Sequence, residues 1–306
     1  MSKLAYIFPG QGSQYVGMGK DLAEKIPAAR ETFSRADAIL GAPLSQICFQ
    51  GPEEELKQTR NTQPAIYLHS MVVAQLMEKR DVAMVAGHSL GEYSALVFAG
   101  AIRFDDGVRL VRLRGELMQR AGEAERGTMA AVVGLEPGVV EEVCREASLE
   151  GVVQCANYNS PGQIVISGSV PGVRKGMELA KARGAKLVKE LVVSGAFHSP
   201  LMGRARGELA NGLAATEIRD AEIPVYANVT ARPVQKAGEI RTLLEEQLTN
   251  AVRWEESVRN MVADGASSFT ELGPGKVLQG LVKRIDATVA IRGVDKYEEL
   301  QPAVPA

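Results

Sequence analysis

Through its first 126 residues the chain alternates short apolar runs with amphipathic helical patterns, and from Gly127 that rhythm breaks. The runs "LAYIF" and "VAMVAG" enclose a helix predicted from about Gly17 and another over "PAIYLHSMVVAQLMEK", with further helices after Ser89 and after Phe104. Continuous apolar runs separated by helices fit a parallel sheet covered on its faces. Beyond Gly127, "TMAAVVGL", a helix after Pro137, "VVQCAN", "QIVISG", a helix after Pro171 and "AKLVKELVV" read as βαββαβ, a ferredoxin-like unit. After Val193, helices again interleave with "IPVYANV", "SSFTELG" and "VAIRGV". The expected fold is therefore α/β: a large α/β-hydrolase-like catalytic domain with a parallel sheet, residues 1–126 and 193–306, carrying an inserted ferredoxin-like subdomain, residues 127–192. Glu123 to Gly127 is the expected hinge into the insertion. A ligand is expected in the cleft between the units, and the tail "QPAVPA" is expected to fray.

With 306 residues and 45% apolar content, the chain can fill such cores. Its net charge of −2 gives no general attraction to nucleic acid or to anionic lipid, so neither is an expected partner. The run Leu4 to Phe8 is too short for a signal-peptide core, and no segment approaches the ~20 apolar residues of a membrane span. A cytoplasmic location follows as the expectation. Cys48, Cys144 and Cys155 lack CxxC spacing and are expected to be ordinary buried thiols, with no metal site.

"FPGQGSQYVGMGK", Phe8 to Lys20, resembles a phosphate loop in its glycine content. Its spacing fails both tests: Tyr15 stands where the third glycine of a dinucleotide fingerprint belongs, and Met18 follows Gly17 where a Walker loop needs lysine. The free backbone N–H groups of such a loop can still face some other negative charge.

"VAMVAGHSLGEYSALVFAG" sets Ser89 in a GxSxG pattern between an apolar strand and a helix rich in small residues, the context of a nucleophile elbow. Serine needs a base, and the chain has three histidines. His88 adjoins the serine and should turn its ring away. His69 shares a helical face with Ala65, Val72, Val73 and Leu76 and is expected in the core. His198, in the loop "SGAFHSPLM", is left as the candidate base. An α/β-hydrolase would also place an acid between nucleophile and histidine and put the histidine near the C-terminus. Neither feature is evident here.

On the helix "GVRLVRLRGELMQRAG", Leu110, Val111, Leu117, Met118 and Ala121 share a face, and Arg114 lies in the middle of it. A charge there must meet an internal carboxylate or a bound anion such as a substrate carboxylate.

"FPGQGSQ", "GHSLGE", "RLRGELM", "ANYNSPGQIVISG", "GAFHSPLM", "EQLTNAVRW" and "ELGPGKVL" occur in the order found in malonyl-CoA:acyl carrier protein transacylases, and the resemblance spans Met1 to about Val294. It implies transfer of malonyl from malonyl-CoA to the phosphopantetheine thiol of acyl carrier protein through a malonyl-serine, supplying extender units for fatty-acid synthesis. Ser89 is then the nucleophile and His198 the general base and acid. Gln247 is the residue whose backbone carbonyl orients the histidine, and Gln11 and Leu90 supply the oxyanion-hole N–H donors. Arg114 binds the malonyl carboxylate, Asn159 lines the cleft, and Phe197 marks the malonyl-selective form of its motif. Ala251 departs from the family, which usually has proline before "VRW" or "VQW". The resemblance further implies a monomer without resident metal or redox cofactor, and an acidic carrier protein that would meet a basic rim at Lys186, Lys189, Lys276, Lys283 and Arg284. A thioesterase would share the nucleophile and base, and a docking module could keep the fold without the chemistry.

Overall fold

The structure, a computed structural model, describes residues 3–79 and 81–300. The tail expected to fray lies outside the described residues. Strands in chain order are β1 (Lys3–Phe8), β2 (Val82–Gly87), β3 (Gly127–Val133), β4 (Val153–Ser160), β5 (Gln163–Ser169), β6 (Leu187–Glu190), β7 (Val225–Tyr226), β8 (Pro233–Val234), β9 (Ala266–Leu272) and β10 (Ala290–Val294). The helices of the first part are α1 (Lys20–Lys25), α2 (Pro27–Leu40), α3 (Leu44–Gln50), α4 (Glu53–Lys57), α5 (Thr59–Gln75), α6 (Gly91–Phe98) and α7 (Phe104–Ala124). Those that follow are α8 (Pro137–Ala147), α9 (Val170–Ala182), α10 (Gly203–Ala215), α11 (Ala237–Gln247), α12 (Trp254–Ala263) and α13 (Val277–Ile285).

Two sheets result. One runs β10-β9-β1-β2-β7-β8, parallel throughout except at the β7–β8 pair. The other runs β4-β5-β3-β6 and is wholly antiparallel. This is the α/β architecture that the sequence rhythm predicts, with the ferredoxin-like strand order in the second sheet.

The large sheet is buried on both faces, which explains its continuous apolar runs. Tyr6 and Phe8 of β1 pack on Phe98 of α6, ring centroids 5.4 and 5.9 Å apart, within the buried cluster that also holds Tyr67 of α5 and Val111 and Leu117 of α7. Ala5 and Ile7 belong to a second cluster with Trp254 and Val258 of α12 and Leu281 of α13. Each large side chain fully withdrawn from water here contributes about 1.5–3 kcal/mol. The small sheet alternates instead. Ala130, Val132, Ile164 and Ile166 meet α8 and α9, while Met129 and Val165, each adjacent to at least one of them in sequence, face the large unit's core.

Several elements differ from their predicted extent. Where one helix is expected from about Gly17, α1 starts at Lys20 and α2, α3 and α4 follow it before α5, broken at Ile26, at Gly41 to Pro43 and at Gly51 and Pro52. α5 begins at Thr59, five residues before the predicted start, and carries Pro64 within it. Proline has no N–H for the Arg60 carbonyl; Arg112 donates to that carbonyl instead, at 3.1 Å. The run ending at Val193 forms a strand only over Leu187–Glu190, because the chain leaves the exposed sheet edge after Leu191 N–H bonds the Met129 carbonyl at 2.8 Å. "IPVYANV" yields only Val225–Tyr226, since its next residues turn toward the end of β2.

Candidate active site

β1 and β2 run parallel, so their C-terminal ends lie side by side and deliver two turns to one place. The turn after β2 is the tighter. Ser89 has φ 50°, a left-handed conformation that is unusual for serine and that raises its side chain on the elbow. Close approach makes the flanking glycines necessary: a Cβ on Gly87 would stand 1.9 Å from the Gly91 carbonyl carbon, and one on Gly91 would stand 2.1 Å from the Phe8 carbonyl oxygen. His88 N–H bonds that same Phe8 oxygen at 3.0 Å, which ties the two turns together. Asn228, just after β7, completes the elbow by accepting from Ser89 N–H at 2.7 Å and donating to the Gly87 carbonyl at 2.7 Å.

Ser89 Oγ lies 2.8 Å from His198 Nε2, across 109 residues of sequence. His198 Nδ1–H donates to the Gln247 backbone carbonyl at 2.8 Å, which leaves Nε2 as the lone-pair nitrogen facing the hydroxyl. His198 is itself left-handed at φ 56°, and its own carbonyl is fixed by Gln154 Nε2 of β4 at 2.8 Å. Burial, with the Arg114 charge second, pushes the imidazole down to about 3, so the ligand-free base is neutral across the physiological range.

Arg114 is fully buried beside them. Its Nη2 donates to Ser89 Oγ at 3.1 Å and to Gln247 Oε1 at 2.9 Å, and its Nη1 donates to Gln63 Oε1 at 2.7 Å. Tyr93 presents its ring 5.5 Å from the guanidinium carbon. All three acceptors are uncharged, and no carboxylate among the described residues bonds Arg114 directly. The serine hydroxyl thus donates to histidine and accepts from a buried cation, an arrangement that favours the charge developing on its oxygen.

Ser89 and His198 open into a cleft of about 220 Å³ between the sheets, with Arg114 buried directly behind the serine oxygen. Gln11, His88 and Ser89 border it from the large unit, Met129, Asn159 and Val165 from the small sheet, and Phe197 lies on the histidine loop. No acceptor within the described residues bonds the backbone N–H of Gln11 or of Leu90. Asn159 Oδ1 is held by His88 Nε2 at 2.9 Å. The remaining expectations fall as follows. His69 is buried in the core, its Nε2 3.1 Å from Asp295, and the three cysteines are buried free thiols, Cys144 Sγ lying 3.9 Å from Cys155 Sγ. Lys186, Lys189, Lys276, Lys283 and Arg284 are all exposed, the last three on or beside α13, whose Val277, Leu278 and Leu281 border the cleft. Ala251 leaves the Gln247 geometry intact because its neighbour Val252 is pinned from both sides, its N–H to Ala156 and its carbonyl to Tyr158 N–H.

Residues 5–293 match the acyl transferase domain family. The chain is 46% identical to the malonyl CoA-acyl carrier protein transacylase of Bacillus subtilis, covering 99% of this chain and 97% of that protein. It is 43% identical to the Escherichia coli K12 protein of the same name, over 99% of each. The chain belongs to the malonyl CoA-acyl carrier protein transacylases. Among solved structures, the acyl carrier protein S-malonyltransferase of Vibrio cholerae superposes with a TM-score of 0.94 at 43% identity, covering 98% of this chain and 99% of that one. A malonyl-transacylase solved in complex with a type II polyketide-synthase acyl-carrier protein superposes with a TM-score of 0.93 at 41% identity, over 98% of each chain.

In this transacylase four contacting residues escaped the reading of the sequence: Gln63, Asn228, Gln154 and Glu92. Only Glu92 left a usable signal. It is the sole charged residue between Ser89 and Gly100, on a helix otherwise apolar or small, and so called for the argument applied to Arg114. The amides carry no charge and gave no comparable contrast with their surroundings.

Proposed function

We propose that this chain transfers malonyl from malonyl-CoA to the phosphopantetheine thiol of an acyl carrier protein, supplying extender units for fatty-acid synthesis in the cytoplasm. The observation that carries the proposal is the position of Ser89 Oγ, between His198 Nε2 at 2.8 Å and Arg114 Nη2 at 3.1 Å. In the first step His198 takes the serine proton as Oγ attacks the thioester carbonyl. The C–S bond then breaks, and the imidazolium returns the proton to the departing CoA sulfur. The carrier thiol reverses the sequence: His198 takes its proton, sulfur attacks the malonyl-serine ester, and the proton returns to Ser89. The backbone N–H groups of Gln11 and Leu90 receive the oxyanion, a donor of this kind being worth roughly 3 kcal/mol of barrier. Gln247 holds the histidine by its carbonyl. Arg114 pairs with the malonyl carboxylate, while Phe197 and Asn159 bound the acyl group.

The reaction so written needs no resident metal or redox group. We take the working unit to be a monomer that uses neither nucleic acid nor a membrane; no helix among the described residues is long and apolar enough to cross one. The exposed cations along α13 suit an acidic carrier approaching the cleft. Intact-mass measurement of carrier protein incubated with malonyl-CoA and the enzyme tests the whole reading. A malonylated carrier is expected, whereas release of free malonate with unmodified carrier would make the protein a hydrolase.

A further inference from the structure

Glu92 is fully inside the protein, one turn of chain past the nucleophile, and the transfer steps above do not use it. Its Oε2 accepts two hydrogen bonds, from Gln247 Nε2 at 2.7 Å and from Asn228 N–H at 3.1 Å. Gln247 Nε2 also donates to the Ser89 carbonyl at 3.0 Å, and Gln247 Oε1 accepts from Arg114 at 2.9 Å. An amide has one donor end and one acceptor end. Turned over, this one would set N–H against the guanidinium and carbonyl oxygen against both the Ser89 oxygen and Glu92. Glu92, the nearer of the two acceptors, acts with the Ser89 carbonyl to select which end of Gln247 faces Arg114.

We propose that Glu92 is a positioning residue for dicarboxylic acyl selectivity: by holding the Gln247 amide it keeps an acceptor on Arg114 Nη2 and so fixes the plane of the guanidinium that receives the malonyl carboxylate. Bidentate recognition depends on that plane, whereas an acyl group without a carboxylate gains nothing from it. The role needs an oxygen at a fixed place and not a charge. Burial pushes the Glu92 carboxyl up to about 7, and Oε2 accepts both bonds with or without a proton on the other oxygen.

This inference rests on the transfer reading above, and wild-type enzyme separates the two: if wild type malonylates no carrier, that reading fails and not this one. The test compares kcat/KM for serine acylation by malonyl-CoA and by acetyl-CoA. Glu92→Asp withdraws the oxygen by about 1.5 Å, one carbon–carbon bond, and keeps the charge. We expect it to lower the malonyl-to-acetyl ratio at least tenfold, chiefly through KM for malonyl-CoA. Glu92→Gln restores a carbonyl oxygen without charge and should keep the ratio within about threefold of wild type. An unchanged ratio in Glu92→Asp overturns the proposal, as does an equal fall for both acyl groups, the mark of a merely structural role. Should Glu92→Asp fail to fold, Glu92→Gln decides alone: a retained ratio supports the acceptor role and a collapsed ratio overturns it.

Discussion

The two sheets contribute to the cleft in different ways. The parallel sheet offers the ends of its strands: Gln11 follows β1 in a turn closed by Ser13 N–H on the Gly10 carbonyl, Ser89 follows β2, and Asn228 follows β7 and accepts from the Ser89 N–H. The antiparallel sheet offers one of its faces, with Met129 and Val165 as alternating side chains on a pleat whose opposite face packs on α8 and α9. Turns fix backbone donors and a strained nucleophile. A pleated face fixes only the volume beside them. The chemistry is thus concentrated where the polypeptide has least freedom, and the wall of the acyl pocket where single side chains can change without disturbing the backbone.

That contrast sets the order of expected effects. Ser89→Ala should abolish the covalent malonyl adduct seen by intact-mass measurement and lower transfer by at least 10³-fold; a surviving adduct would move the nucleophile elsewhere. Arg114→Ala comes next. With the buried cation gone, kcat/KM for malonyl-CoA should fall roughly a hundredfold relative to acetyl-CoA, because only the malonyl group loses a charge-assisted pair. Retained preference for malonyl would show that the apolar face of α7 merely houses that cation. On the small sheet, Val165→Ala should change acyl-CoA KM values by about threefold or less and leave adduct formation intact. A loss as large as that of Arg114→Ala would erase the distinction between turns and face.

The smallest expected effect is none. Met129, Asn157, Asn159, Gln163 and Val165, the cleft residues from the small sheet, do not titrate, so pH dependence must come from the turns. His198 is held below its ordinary range, down to about 3, and is therefore already unprotonated well under pH 6. Acylation kcat/KM, which reports the free enzyme, should stay flat from pH 8 to about pH 5 and fall only below that. An acid limb centred near 6.5 that persists in Glu92→Gln would mean that the base is wetter than its burial implies, the Glu92 carboxyl being itself pushed up to about 7.

The same contrast separates what the sequence disclosed from what it concealed. The helix-separated apolar runs and the βαββαβ insertion were legible because each sheet imposes its own period on the side chains. Ser89 stood out by the glycines its turn demands, and Arg114 by lying on the wrong side of an amphipathic helix. The pairing of Ser89 with His198 came from elimination among three histidines and from the family resemblance, since no local pattern connects residues 109 positions apart. Gln63, Gln154 and Asn228 act through neutral amides, and nothing in periodicity or charge marks a buried amide as a scaffold. The start of α5 was hidden for another reason: Pro64 looks like a helix beginning until Arg112, far along the chain, satisfies the carbonyl that proline leaves open.

One backbone bridge has a further consequence. Asn157 of β4 pairs in parallel with Val252, five residues beyond the carbonyl on which His198 rests. The seam makes the small sheet and the perch of the imidazole parts of a single lever. An acyl group bulky enough to wedge the sheet outward would drag that perch with it, so enlarging the pocket by leverage and keeping the proton relay aligned are competing demands. Wider acyl tolerance has to come from trimming side chains on the pleat, with the seam left closed.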